Sequence, residues 1–342
     1  VNRSISLACA AAMIVSLATG VTTASPALAQ DRIVTDRPDR PVTAPDMPRW
    51  ITLGTHGGPV SNPLRSQPAN ALVIDRDVYL VDVGDGTGQQ LAKASIRLGQ
   101  IKGIFISHLH FDHTGGLGAV LGLRLQTRQA GKLPIYGPPG TKELVAGLVA
   151  SMKPGSIVGY GIVGQGYDDP MSTVEVIEIT GDQSLPLGSM TVKVRQNTHY
   201  DYAPGSDMDR RFKSVAFRFD HPARSIVYTG DTGPSTAVEE LAKGADLLVS
   251  EMIDLEAVVA AIRRNSPNAN APQIENAIEH LRKHHLAPAD VGRLAKKAGV
   301  KSVVVTHLAG DNVTSLDTMR FMSKIAPEFN GPVVIANDLD KY

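Results

Sequence analysis

Between Phe105 and Gly116 the chain reads "FISHLHFDHTGG", which places His108, His110, Asp112 and His113 within six consecutive residues. The whole chain has ten histidines, so three in one loop directly after an apolar run ask for a chemical cause. Neutral imidazole and carboxylate are the donors that zinc-like divalent ions accept when thiolate is absent. The natural division sets His108 with His110 toward one ion and Asp112 with His113 toward another. Two neighbouring ions need more donors than this loop holds, so further ligands are expected elsewhere.

Three segments supply candidates. "NTHY" puts His199 just past a predicted strand ending at Gln196, and "YTGDTG" puts Asp231 just past a strand over 224–230. "VVVTHLAG" puts His307 at the end of a valine-rich strand. One histidine after a strand is more often structural than a ligand. The same arrangement found three times, together with the histidine loop, points to a metal site.

The elements that must position these groups alternate along the chain. Strands are predicted over 49–55, 70–74, 77–83, 103–107, 172–179, 190–196, 214–220, 224–230, 246–251, 301–307 and 332–336. Helices are predicted at about 87–98, 115–130, 141–152, 235–244, 273–286, 288–299 and 314–326. Thr114 is placed to cap the second helix, and Pro288 to open the sixth. Early strands follow one another through turns and later ones are separated by helices, which implies sheets covered by helices in one domain. The glycine-rich stretch 153–170 reads as one long irregular loop.

The N-terminus has Arg3, an apolar run from about Leu7 to Leu17 and the small-residue ending Ala27-Leu28-Ala29. This is the layout of a cleavable secretory signal over 1–29, followed by a polar, proline-rich extended arm over 30–47 and a hydrolase domain over 48–342. A periplasmic or secreted location is expected, with no membrane span. Cys9, the only cysteine, lies inside the signal, so the mature chain has no thiol to serve as nucleophile or ligand. Basic and acidic residues balance at 34 each, and there is no polybasic block. A nucleic-acid partner is therefore not expected from charge.

"HLHFDH" matches the HxHxDH signature of the metallo-β-lactamase superfamily, and His199, Asp231 and His307 follow in that superfamily's order. The chain most resembles the subgroup around ribonuclease Z and the zinc-dependent arylsulfatases. "LGTHGGP" (53–59), "YLVDVGDGT" (79–87), "YTGDTGPS…LAKGADLLVSE" (228–251) and "HLAPADVGRLAKKAGVKSVVVTHL" (285–308) carry that resemblance. It implies an α/β fold, a four-layer αβ/βα sandwich of two mixed β-sheets with helices on the outer faces. It also implies two Zn2+ per chain. His108, His110 and His199 would hold one, Asp112, His113 and His307 the second, and Asp231 would bridge them. Such a pair activates water as a shared hydroxide at neutral pH, with Asp112 also able to take a proton.

His285 and Glu251 match a catalytic histidine–glutamate pair of ribonuclease Z-like enzymes, although "HLAP" departs from the usual residues after that histidine. A histidine at a helix C-terminus is the alternative for His285. Asp82 reads either as acceptor for a ligand imidazole or as a turn aspartate before Gly84. His56 is expected to serve loop hydrogen bonds, and His221, His280 and His284 to be solvated.

The expected activity is hydrolysis of a small-molecule ester, arylsulfate or phosphodiester ahead of lactone or β-lactam. Its alternative is a non-catalytic metal- or ligand-binding protein. Processing of RNA ranks lower because the chain reads as exported and the 153–170 stretch, with one lysine and two aspartates, is not basic. Pocket walls are expected from 58–70, 153–170 and 200–213, and a homodimer is compatible with the resemblance.

Overall fold

Apolar residues alternate between two destinations along the central strands, and this alternation builds the layers. In strand Asp77–Val83, Val78 and Leu80 pack under helices, whereas Tyr79 and Val81 face the other sheet. In strand Val303–Ala309, Val303 and Val305 pack under helices and Val304 faces inward. The computed structural model describes residues 47–159, 161, 169–200, 202–265, 270–310 and 314–342. The expected signal and the expected arm up to residue 46 lie outside the described residues.

One seven-stranded sheet runs edge to edge through Asp340–Lys341, Arg49–Gly54, Ala69–Ile74, Asp77–Val83, Ile101–Phe105, Leu133–Gly137 and Val174–Glu178. The other has eight strands. It runs through Val333–Ile335, Val303–Ala309, Leu247–Ile253, Arg224–Tyr228, Val215–His221, Met190–Gln196 and Gln183–Leu187, with His56–Gly57 paired to Val303–Ala309. Both sheets mix parallel and antiparallel pairs. Trp50, Phe105, Phe217, Phe219 and Tyr228 fill the space between the sheets, with Phe105–Phe219 and Trp50–Tyr228 centroids 5.4 and 5.8 Å apart. Helices Leu117–Gln126 and Thr141–Val158 cover the first sheet, and Thr236–Ala242, Pro288–Ala298 and Ser315–Ile325 cover the second. The result is the expected four-layer αβ/βα sandwich. No helix among the described residues is long and apolar enough to cross a membrane.

Several local expectations need correction. Residues 153–158 continue helix Thr141–Val158 through Pro154, so the irregular stretch is shorter than its glycine content suggested. Strand Leu133–Gly137 escaped notice because of Pro134, yet pairing with Ile101–Phe105 begins only at Ile135, past the missing N–H. Strand Gln183–Leu187 tolerates Pro186 because it is a sheet edge. Helices Asp207–Arg211 and Leu255–Asn265 were also missed. Thr114 does not cap the long helix. It closes the short helix Phe111–Thr114, its hydroxyl donating to the His110 carbonyl at 3.1 Å.

Candidate metal centre

Two strand irregularities aim side chains at one edge of the sandwich. Asn70 pairs with Val81 and Ala69 with Val83, which leaves Asp82 as an extra residue with φ 56°. Ser250 pairs with Val305 and Met252 with Leu308, and within that bulge His307 has φ 47°. Non-glycine residues rarely occupy left-handed backbone, which costs on the order of 1 kcal/mol or more and persists where the surroundings enforce it. A bulge re-aims a side chain relative to its strand. Gly57 completes the arrangement, because a Cβ there would lie 2.5 Å from the His307 ring.

All seven expected ligands converge at this edge. Nitrogen atoms of His108, His110 and His199 group together, as do donors of Asp112, His113 and His307. His110 Nδ1 lies 3.1 Å from the Nε2 of both His108 and His199. Two nitrogens about 2.1 Å from one tetrahedral zinc would be about 3.4 Å apart, so this spacing suits an ion. Asp231 sits between the triads. Its Oδ1 is 3.2 Å from His113 Nε2, and its Oδ2 is 3.2 Å from His307 Nε2 and 3.9 Å from both His108 and His199.

Electrostatics point the same way. Burial, reinforced by neighbouring imidazoles, holds His108 well below the ordinary histidine range, and burial takes His199 to about 3. Both are thus neutral donors at pH 7. Burial also opposes charge on His113 and His307, but Asp231 and Asp112 outweigh it, raising His113 well above its ordinary value and His307 to about 10. The carboxylates therefore demand positive charge at this point. His113 Nε2, Asp231 Oδ1 and both ring nitrogens of His307 are buried without an aligned hydrogen-bond partner among the described residues. Orphaned buried donors and acceptors are costly. A cation between them would remove that cost, so the residues present fit a metal.

The next ring of contacts fixes these groups. Asp82 Oδ2 accepts from His113 Nδ1 at 2.8 Å, and Ser107 binds both Asp82 oxygens at 2.7 Å. Of the two readings for Asp82, the structure selects the acceptor. Gly58 N–H donates to Asp112 Oδ2 at 2.9 Å. His285 Nδ1 lies 3.0 Å from Glu251 Oε2, and Thr232 N–H donates to Glu251 Oε1 at 2.8 Å. Burial alone would lower His285, but Glu251 raises it.

Asp338 was not anticipated. It accepts from Thr55 N–H and Ser66 N–H at 2.9 and 2.7 Å, pinning the loop that carries Gly58. Its only sequence signal is a polar residue just past a strand end.

A cleft of about 1100 Å³ opens over His110, Asp112, His199, Asp231, His285 and His307. Its walls correct the expectation. Residues 58–63 contribute, but no described residue of 153–170 or 200–213 does; helices Leu255–Asn265 and Ala271–His284 form the opposite side. His56 lines the cleft while its Nε2 bonds the Val60 carbonyl at 2.9 Å. His221 and His284 are buried rather than solvated; His284 Nδ1 lies 2.6 Å from the Thr198 carbonyl oxygen.

A family model described as the β-lactamase superfamily domain matches residues 78–308. Ribonuclease Z of Mycobacterium avium (strain 104) is 30% identical over 294 residues, spanning 85% of this chain and 96% of that protein. The metallo-β-lactamase fold protein YhfI from Bacillus subtilis superposes with a TM-score of 0.61 at 20% identity, covering 86% of this chain and 99% of that one. Human tRNase Z, short form, gives 0.58 at 22% identity, covering 86% and 98%.

These relatives overturn the expectation of a small-molecule ester with no nucleic-acid partner, since the curated ones are named for cleaving RNA. The physical fault lay in reading net charge as a test. Whole-chain charge averages over the surface, whereas a phosphodiester can be met by a buried cation centre. The fold, the histidine–aspartate cluster and the matched family model agree: the chain belongs to the β-lactamase superfamily and has the metallo-β-lactamase fold.

Proposed function

We propose that the protein is a metal-dependent phosphodiester hydrolase acting on RNA, with two zinc ions held at the sandwich edge. One observation carries this reading. Asp231 stands between two donor triads, within 3.2 to 3.9 Å of histidines from both. His108, His110 and His199 would hold one ion, Asp112, His113 and His307 the other, and the two Asp231 oxygens would reach both. When bound, such ions make water nucleophilic at neutral pH and stabilise negative charge on phosphoryl oxygens.

The remaining work falls to the chain's own residues. Gly58 N–H orients Asp112, whose carboxyl is held below the ordinary range: burial opposes ionisation, and His113 and His307 outweigh it. Asp112 is thereby an ionised acceptor for the proton leaving the attacking water. Glu251 holds His285 by Nδ1 and favours its protonated form, leaving Nε2 to deliver a proton to the departing oxygen.

The proposal extends to location. Arg3, the apolar run and Ala27-Leu28-Ala29 support a signal over 1–29, an arm over 30–47 and a hydrolase domain over 48–342 in the periplasm or outside the cell. N-terminal sequencing of the protein from a periplasmic fraction should begin at Gln30. Retention of residues 1–29 on fractionated protein would remove this part.

The activity test is a panel assayed with and without chelator: an oligoribonucleotide, bis(p-nitrophenyl) phosphate, p-nitrophenyl sulfate, a lactone and a β-lactam. Chelator-sensitive cleavage of RNA and of the phosphodiester supports the proposal. Turnover of the lactone or β-lactam alone overturns it.

A further inference from the structure

The cleft beside the metal cluster has an apolar wall that the metal chemistry does not explain. Val258, Ala261 and Ile262 line it from helix Leu255–Asn265, and Ala277 and Leu281 from helix Ala271–His284. The spacings of three and four residues place each set on one helix face. These side chains are only half-buried, so they do not serve a closed core. At the lip, Phe111 is 75% exposed and sits between the candidate ligands His110 and Asp112. No lysine or arginine lines the cleft among the described residues. A wall built to hold neighbouring phosphates of a strand would carry such cations.

We infer that this wall is a base-binding subsite: it holds the nucleobase next to the scissile phosphodiester by apolar contact and stacking, while the metal cluster meets the phosphate. The inference rests on the phosphodiesterase reading and assigns the neighbouring group. Three observations select a base as occupant. The cleft is continuous with His110, Asp112 and His285, so its contents are attached to the reacting ester. Away from the histidine–carboxylate cluster its described lining carries no lysine, arginine, aspartate or glutamate, only the imidazoles of His56 and His280, which suits an uncharged ring. Phe111 offers an aromatic face, and base–aromatic stacking contributes about 1–3 kcal/mol per base.

The test compares three diesters with the same p-nitrophenolate leaving group on the zinc-loaded full chain: thymidine 5′-phosphate, ribose 5′-phosphate and methyl phosphate esters. The thymidine diester should exceed the base-free ribose diester in kcat/KM by about tenfold or more. The Ile262→Ser/Leu281→Ser double variant should bring that ratio close to one. A wild-type ratio near one, or a tenfold ratio retained in a folded double variant, overturns the inference.

Should no diester turn over, the phosphodiesterase reading fails, and binding decides the subsite separately. Quenching of 2-aminopurine riboside fluorescence by wild type, weakened by the double variant, supports a base site. No quenching overturns it. An oligoribonucleotide cut at a rate indifferent to replacing the flanking base with an abasic sugar also overturns it.

Discussion

Tyr228 donates its hydroxyl to Asp82 Oδ2 at 2.8 Å, and that same oxygen receives His113 Nδ1 at 2.8 Å. The inter-sheet aromatic core and the metal cluster thus share one carboxylate. Asp82 supports His113 from behind, which sets the ring's orientation and directs Nε2 toward Asp231 and Asp112. Removing such a support weakens metal affinity about 10–100-fold. Asp82→Ala should therefore lose the ion of the Asp112, His113 and His307 triad first, read by competition with a chromogenic chelator. Tyr228→Phe removes one donor and should cost about 1 kcal/mol of stability, with a smaller change in affinity. Equal metal binding in Asp82→Ala and wild type would deny Asp82 this role.

Asp231 and His285 separate metal holding from turnover. Asp231 reaches histidines of both triads, so Asp231→Ala should lose metal and activity together. His285 is anchored by Glu251 and lines the cleft. His285→Ala should keep most of its metal while kcat falls about 100-fold or more. Metal content by emission spectroscopy, set against kcat on bis(p-nitrophenyl) phosphate, checks both. Full turnover by His285→Ala would leave that residue a helix-end histidine.

The convergence of the candidate ligands was legible because metal chemistry restricts donor types and sheet topology gathers strand ends, so His199, Asp231 and His307 stood out without coordinates. What supports them was not. Tyr228 reads as one more apolar strand residue, and its hydroxyl bond spans 146 positions to Asp82. Helix Leu255–Asn265 carried a signal that went unused: Asp254 accepts from Ala257 N–H, and apolar residues recur at Leu255, Val258, Val259 and Ile262. Without that helix, the expected cleft walls fell on 58–70, 153–170 and 200–213, of which 58–63 alone contributes among the described residues. His284 looked solvated beside Lys283, but its fate depended on the Thr198 carbonyl, a contact no local pattern encodes.

At the far end of the second sheet, Asp246 ties three strand starts together. It accepts from Ser225 N–H and Oγ at 2.7 and 2.9 Å and pairs with Lys301 Nζ at 2.6 Å. Burial opposes its ionisation, but Lys301 and Ser225 prevail and lower its pKa from 3.8 to about 2. A carboxyl depressed on folding contributes stability that is present above its unfolded pKa and lost as pH falls through the folded one. The side chain is 29% exposed, so the contribution is discounted to about 1 kcal/mol. Asp246→Asn should lower urea stability by that amount near neutrality, and the gap to wild type should narrow as pH drops from 3.8 toward about 2. A gap independent of pH would mean that ionised Asp246 is not the source.

Gly57 offers the sharpest steric test of how His307 is aimed. Its strand pairs alongside Val303–Ala309, with Gly57 opposite Ala309, and a methyl there would come within 2.5 Å of His307 Nδ1 and Cε1. That approach is too close for any real Cβ, and the strand pairing leaves the backbone little room to retreat. The His307 ring must turn instead, away from Asp112 and Asp231, whose oxygens lie 3.5 and 3.2 Å from its Nε2. Displacements near 1 Å at a reacting centre cost on the order of 100-fold in rate. Gly57→Ala should therefore cut kcat/KM by about 10–100-fold and weaken the ion proposed for Asp112, His113 and His307, while circular dichroism shows the same secondary structure. Gly147→Ala, on helix Thr141–Val158 and outside the cleft lining, is the matched control, because a Cβ added there would meet nothing within 4 Å. Metal occupancy distinguishes the two: only the Gly57 variant should bind the ion proposed for Asp112, His113 and His307 more weakly, and equal occupancy in both would remove the steric explanation.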